Sequence, residues 1–371
     1  MNHRKIYKAV FPGKYIQAEN AVAELPALIK QFGSRGLILA SSTAKNCILP
    51  CHDFIKDNDS VHVEQFQGEC SQKEIDRVIE IIKREEADVL VGMGGGKTID
   101  TAKIASDKTG IPVIIVPTIA STDAPCSGVA VVYNDKGVFE SVYCQKMNPQ
   151  IVLVDMNIIA NSPVRFLVAG MGDALATWFE ARSCERTQSR NECGGLSLLT
   201  GLSLAKLCYD TLLKYGKAAK IACENNIVTP ALHHIVEANT LLSGIGFESS
   251  GLASAHAIHN GLTAIEETHS YYHGEKVAFG TLAGLHLTGA DPDEIDSVYS
   301  FCEETGLPTT FAEIGIIKAD REKIMTAAVK ACEPGDSIHH EAGMITPEKV
   351  MAAMIAADAM GKMRKPANIV Q

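Results

Sequence analysis

At 371 residues the chain exceeds a common single-domain length and predicts two or three domains with at least one large core. Its 34 basic and 44 acidic residues give a net charge of −10 with no long basic run, which argues against nucleic acid as a partner. Eleven scattered cysteines without a CxxC pair, no apolar run of membrane-spanning length, and an N-terminus that mixes charges with aromatics predict an unexported cytoplasmic protein with reduced thiols and no membrane partner.

In chain order, four apolar runs rich in Val, Ile and Leu stand out at 36–41 (GLILAS), 87–92 (ADVLVG), 111–118 (IPVIIVPT) and 150–155 (QIVLVD). Continuous runs of this kind predict strands covered on both faces, hence a parallel sheet. Cys47 and Cys51 fit one face of a helix between the first two. Ser71, with Glu74 three residues later and Ile75, Val78, Ile79 and Ile82 at helical spacing, predicts an N-capped crossover helix. Two alternating runs around Asn134 to Gly137 predict a hairpin. Beyond about residue 160 long helical patterns replace the strand-like runs, with Ser162–Pro163 and Thr346–Pro347 as predicted N-cap and first-residue pairs. The expected division is an α/β domain over 1–160 and an all-α domain over 161–371.

The segment VLVGMGGGKTIDTAK (89–103) follows a predicted strand and opens a predicted helix, where backbone amides and the helix dipole can meet a phosphate. It is neither of two common phosphate loops: GxxxxGK[ST] needs glycine where Val91 stands, and GxGxxG from Gly92 needs it at Lys97. A tight strand-to-helix turn accounts for single glycines. Three adjacent ones, Gly94, Gly95 and Gly96, cost backbone entropy with no core side chain in return, which a ligand approaching the main chain explains better. The next strand runs into PTIASTDAPCSG, carrying Thr118, Ser121, Thr122, Asp123 and Ser127. Carboxyl ends of neighbouring parallel strands share one crevice, so the two loops should line it together.

Histidines pair at helical spacings, His256 with His259 and His269 with His273, and the two pairs could converge on a metal. Satisfied core or surface imidazoles are the ordinary alternative. Asp173 is a lone acid in the apolar run LVAGMGDALATW, so it is either paired, metal-bound or the cap of a helix restarting after Gly172.

Taken together, GMGGGKTIDTAK, PTIASTDAPCS, GDALATWFEAR, EANTLLSGIGFESSGLASAHAIHNG and YYHGEKVAFG resemble, in order and across essentially the whole chain, the glycerol dehydrogenases of the metal-dependent, iron-type alcohol dehydrogenase family. The resemblance implies a Rossmann-like parallel sheet in an N-terminal dinucleotide domain, an all-α C-terminal metal- and substrate-binding domain (a dehydroquinate synthase-like fold), a divalent metal in the cleft between them, and a homo-oligomer, ring-like and up to an octamer. It assigns metal ligation to Asp173, His256 and His273, with His256 also near the substrate, and leaves His259 and His269 as surrounding residues. Thr177 stands where the iron-binding branch has a further histidine, which favours zinc with three protein ligands and an open position. Gly94, Gly95, Gly96, Lys97, Thr98, Thr118, Ser121, Ser127, Val129 and Tyr133 match the loop and cofactor surroundings, and Asp123 matches a polyol contact. Ser41 departs from the pattern. It replaces an acidic residue that accepts hydrogen bonds from the adenosine ribose, so NAD is the expected cofactor but a 2′-phosphate, and with it NADP, is not repelled.

The activity so implied is reversible NAD-dependent oxidation of glycerol, or a similar small vicinal diol, to dihydroxyacetone or its counterpart, with a divalent metal polarising the hydroxyl and Asp123 orienting a second one. Two rivals remain at this level. A dehydroquinate synthase-like lyase or a glycerol-phosphate dehydrogenase would need a cationic cluster for a phosphorylated substrate, and residues 256–280 contain only Lys276. A binding protein that keeps the fold without turnover would not need the ligands at 173, 256 and 273.

Overall fold

The computed structural model describes residues 5–55, 60–134 and 137–365. It divides into two compact units, one formed by Val10–Leu167 with Ile221–Ile245 and the other by Met1–Ala9, Val168–Lys220 and Gly246–Gln371. No helix among the described residues is long and apolar enough to cross a membrane, and all eleven cysteines are free thiols.

The first unit is built on a six-stranded sheet whose pairings are all parallel. Its strands are β1 (Tyr15–Ala18), β2 (Gly36–Ala40), β3 (Val61–Gln65), β4 (Val89–Gly94), β5 (Val113–Pro117) and, after a hairpin of β6 (Val129–Tyr133) and β7 (Phe139–Cys144), β8 (Ile151–Asp155). The order across the sheet is β1-β8-β5-β4-β2-β3. The four interior strands are the four apolar runs of the sequence, and each is buried at every residue. The two edge strands, YIQA and VHVEQ, carry polar residues and pair on one side only, so neither makes a continuous apolar run.

Helix Gln72–Arg84 crosses between β3 and β4, and the Ser71 hydroxyl accepts its N-terminal bond from the Glu74 amide. The Glu74 carboxylate does not complete a capping box. It accepts from the Gln67 amide and is held at 2.7 Å by both Arg77 nitrogens that reach it. The predicted hairpin is present, although two residues of its turn, 135 and 136, lie outside the described residues. Cys47 and Cys51 lie on successive short helical turns, and the Cys51 thiol donates to the Cys47 carbonyl at 3.3 Å.

Residues 221–245, helical in pattern, pack with the sheet. Tyr15 of β1 meets Thr240 at 2.9 Å, and Asn239 donates to the carbonyls of Ala120 and Leu167, each at 3.0 Å. Asn239 sits in a π-helical turn, Ala238–Leu242, a widened turn that re-aims side chains off the α-helical register.

The second unit is helical. Helix Val164–Thr187 starts one residue beyond the predicted Pro163, and the Ser162 hydroxyl donates to the Ile159 carbonyl at 2.8 Å. Thr346 caps helix Pro347–Arg364 through the Lys349 amide. Helices Ser254–Leu262 and His273–Thr288 pack closely: a Cβ on Gly280 would lie 2.4 Å from the Ala255 carbonyl oxygen. Helix His273–Thr288 also touches helix Val164–Thr187 backbone to backbone, since a Cβ on Gly274 would stand 1.8 Å from the Ala169 oxygen and one on Gly172 2.3 Å from the Gly274 oxygen.

Candidate functional site

The first unit offers a ligand the carboxyl ends of β2, β4 and β5. The chain leaves β2 for β3 on one side and returns through β4 on the other, so the β2/β4 junction is the switch point where open parallel sheets bind ligands. Gly94 closes β4, Gly95 is the N-cap of helix Gly96–Thr109, and Gly96, Lys97 and Thr98 are its first residues.

These glycines differ in what surrounds them. A Cβ on Gly92 would meet the Ala102 Cβ at 2.6 Å, and one on Gly94 would meet Thr98 Oγ1 at 2.7 Å and the Ser41 Cβ at 3.1 Å, so both serve strand-to-helix packing. A Cβ on Gly96 would find nothing nearer than Thr122 Oγ1 at 3.9 Å. That opening at a helix N-terminus suits an anion.

The second loop does adjoin the first. The Thr118 amide donates to the Gly94 carbonyl at 3.0 Å, and Ile119 lies against Gly95. Ser121 and Asp123 follow in this loop, and the Ser243 hydroxyl donates to Asp123 Oδ2 at 2.9 Å. Ser127 is buried beside the carbonyls of Ala124 and Val129, and Val129 and Tyr133 begin and end β6. Lys97 pairs with Glu69 at 2.6 Å and stands 5.1 Å over the Tyr133 ring. Burial pushes the Tyr133 phenol up to about 12, so it stays neutral. Ser41 directly follows β2. Its amide donates to the Met93 carbonyl at 2.9 Å and its hydroxyl accepts from the Ala44 amide at 3.2 Å.

The second unit gathers Asp173, His256 and His273, whose ligand atoms all lie within 4.8 Å of one another. Asp173 is in mid-helix, which excludes the capping role open to it from the sequence. The contact at Gly172 and Gly274 brings His273 Nε2 to 3.0 Å from Asp173 Oδ1, and His256 Nε2 comes to 3.4 Å from the same oxygen. Ligands bound about 2.0–2.1 Å from a tetrahedral ion stand about 3.3–3.4 Å apart, so the spacing is that of a divalent site. His269 is elsewhere, exposed and bonded to the Thr263 carbonyl. Thr177 is buried with its methyl group against Gly246.

Two further groups set the protons. Buried Glu180 accepts from His256 Nδ1 at 2.6 Å, while its other oxygen takes the amides of Ala253 and His256. His273 Nδ1 faces His259 Nε2 at 3.1 Å, His259 Nδ1 faces Asn260 Oδ1 at 3.1 Å, and the Asn260 amide donates to Asp336. Since an amide oxygen only accepts, His259 carries its proton on Nδ1 and takes one from His273 Nδ1. Both ligand imidazoles therefore turn an Nε2 lone pair toward the Asp173 oxygen. Two lone pairs and a carboxylate repel one another unless a cation joins them, and this donor set fits a divalent metal such as zinc.

With no ion between them, a proton would have to take its place. Burial raises Asp173, but His273 and His256 outweigh it and hold the carboxyl well below its usual range. Burial opposes charging of His256, yet Glu180 and Asp173 push it well above an ordinary imidazole. His259 is pushed well below by burial, then by His273 and Lys276, and stays neutral.

Sequence reasoning missed Glu180, although it lies seven residues after Asp173 and so on the same helix face. It read Gly172 only as a helix break and did not see the packing role of Gly172, Gly274 and Gly280, because a glycine within a helix gives no sign of the neighbour it admits.

A parallel-sheet unit with an open glycine-rich turn at a helix N-terminus and a helical unit with an Asp-His-His cluster able to hold a metal are what a metal-dependent dehydrogenase would need. Comparison narrows the class: the iron-containing alcohol dehydrogenase pattern matches residues 12–156. The chain is 51% identical to the glycerol dehydrogenase of Thermotoga maritima over 97% of its own length and 99% of that protein. It is 40% identical to a glycolaldehyde reductase of Halobacterium salinarum, covering 95% and 97% respectively. The crystal structure of glycerol dehydrogenase from Schizosaccharomyces pombe superposes with a TM-score of 0.91 at 34% identity, over 97% of this chain and 92% of that one. The chain belongs to the iron-containing alcohol dehydrogenase family, on the side of its glycerol dehydrogenases.

Proposed function

We propose that the chain is an NAD-dependent dehydrogenase that reversibly oxidises glycerol, or a similar small vicinal diol, to dihydroxyacetone or the matching hydroxyketone. The observation that carries this reading is the convergence of Asp173, His256 and His273. A divalent ion there, zinc in this reading, supplies Lewis acidity that makes an alcohol proton easier to remove, and a nicotinamide supplies the hydride acceptor.

The chain's own residues do the rest. Glu180 and His259 fix the ring tautomers of His256 and His273, so that both present Nε2 to the ion. The amides around Gly95 and Gly96, with Gly94, Lys97, Thr98, Thr118, Ser121, Ser127, Val129 and Tyr133, hold the cofactor. Asp123, its carboxylate oriented by Ser243, takes a second hydroxyl of the diol, which favours polyols over simple alcohols. His256 also borders the substrate. The cofactor falls to the sheet unit, which takes in 221–245 besides most of the expected 1–160, and the metal to the helical unit, and the protein works in the cytoplasm as a homo-oligomer.

A second reading of the cofactor rests on Ser41. With no carboxylate at that position to repel a 2′-phosphate, NADP is accepted alongside NAD. Steady-state assays with glycerol, 1,2-propanediol and 2,3-butanediol, each with NAD and NADP, separate these readings. Full activity in a metal-free His273→Ala variant would sink the central one.

A further inference from the structure

Lys103 is a buried cation that the proposed chemistry does not use. It is fully enclosed on helix Gly96–Thr109, two turns past the glycine loop. Its ammonium donates to the carbonyl of Ala124 at 2.9 Å and to that of Val129, and Asp100 Oδ1 stands 3.3 Å away. Two N–H groups thus meet backbone carbonyls, and the Asp100 carboxylate balances the charge at ion-pair distance. The other Asp100 oxygen accepts from the Val131 amide at 3.0 Å, and Gln145 donates to the Lys103 carbonyl at 2.9 Å.

Those two carbonyls bracket the turn that holds Ser127. Ala124 is next to Asp123, and Val129 opens β6. The same helix therefore presents Gly96 at its N-terminus, opposite Thr122, and grips the far end of the polar loop two turns later. Asn148 holds the loop at the Cys126 carbonyl, at 3.0 Å, and Asn239 holds it at Ala120, at 3.0 Å. Lys103 does so from the helix that carries the glycine loop.

We propose that Lys103 is a positioning residue. It sets the register of the 118–129 loop against the glycine loop, so that cofactor and diol contacts are aligned before either ligand arrives. The inference rests on the reading of these loops as cofactor- and polyol-binding. A buried ion pair that only stabilises the fold is the alternative.

The test uses the full-length, metal-loaded Lys103→Met variant, similar in length but without the charge. With the circular dichroism and metal content of the wild type, it should show faster amide exchange over 118–129 and unchanged exchange over 254–288. Cofactor Kd and diol KM should each rise about tenfold or more, with kcat reduced less. Unchanged loop exchange, or binding constants within about twofold of the wild type at temperatures where the variant is fully folded, overturns the proposal. If Lys103→Met does not fold, Asp100→Asn serves, because it removes the counter-charge and leaves both carbonyl contacts in place. It should shift the same quantities in the same direction by about threefold, and unaltered constants there also overturn the proposal. Altered loop exchange in a protein whose wild type neither binds nicotinamide nor oxidises diols would instead leave Lys103 positioning the loop and refute the functional reading.

Discussion

In the α/β unit the groups offered by the glycine loop lie in five consecutive residues, 94–98, and most are backbone amides. In the helical unit the candidate ligand side chains are spread from 173 to 273 on three helices. The loop gets its geometry from a local event, a strand turning into a helix. The candidate metal centre depends on distant helices approaching until their backbones touch. Damage should therefore spread differently: a change at the loop stays local, whereas a change near the ligands acts through proton positions and helix contacts.

The largest expected effect is at Glu180. It accepts the His256 Nδ1 proton and two backbone amides, and a glutamine cannot do both. If its oxygen keeps the amides, its NH2 group faces Nδ1, the ring takes the other tautomer, and Nε2 turns a proton toward the ion site. Glu180→Gln should weaken metal binding about 10- to 100-fold, measured by competition with a chelator and metal analysis. An affinity equal to the wild type would show that the carboxylate does not set the tautomer.

Next comes a contrast between two glycines of one motif. Gly92→Ala places a methyl 2.6 Å from the Ala102 Cβ, between strand and helix, and should cost about 1–3 kcal/mol of stability while leaving cofactor affinity unchanged in the folded protein. Gly96→Ala meets no protein atom within 3.9 Å and supplies a better helix former, so the melting temperature should hold or rise. Its cofactor Kd should rise about tenfold, because the methyl occupies the opening. Equal effects of the two changes on binding would mean that the loop is only a packing turn.

The same contrast explains what the sequence could reveal. The interior strands, the Ser71 cap and the Thr346 cap were legible because each is decided by neighbours within a few residues. β1 and β3 were not, since four- and five-residue strands with polar residues mixed in are too short for any alternation to stand out. Asp173, His256 and His273 could be found through the family resemblance, while spacing alone also offered His259 and His269. Lys103 gave no signal, because a lysine on a helix reads as solvated until the loop that buries it is in place. Residues 221–245 are helical by pattern, and only contacts such as Tyr15 with Thr240 show that they join the sheet's core.

The smallest effect sharpens the comparison within the sheet itself. Asp88 lies just before β4, at the opposite end of that strand from the glycine loop, and its carboxylate accepts from the amides of Ser34 and Arg35 at 2.8 Å each. Burial pushes its pKa up, but those amides and the Ser34 hydroxyl outweigh burial and hold it below the usual range. A depressed folded-state pKa means that the stabilisation is fully present above the unfolded carboxyl value and is lost as pH falls through the lower folded one. Asp88→Asn should therefore melt about 1–2 °C below the wild type near neutral pH, a modest shift because solvent screens the site. The gap should close as the wild-type carboxyl is protonated in acid, while cofactor Kd stays unchanged throughout. A change in cofactor affinity with no change in melting would overturn the division of the sheet into a stabilising end and a binding end.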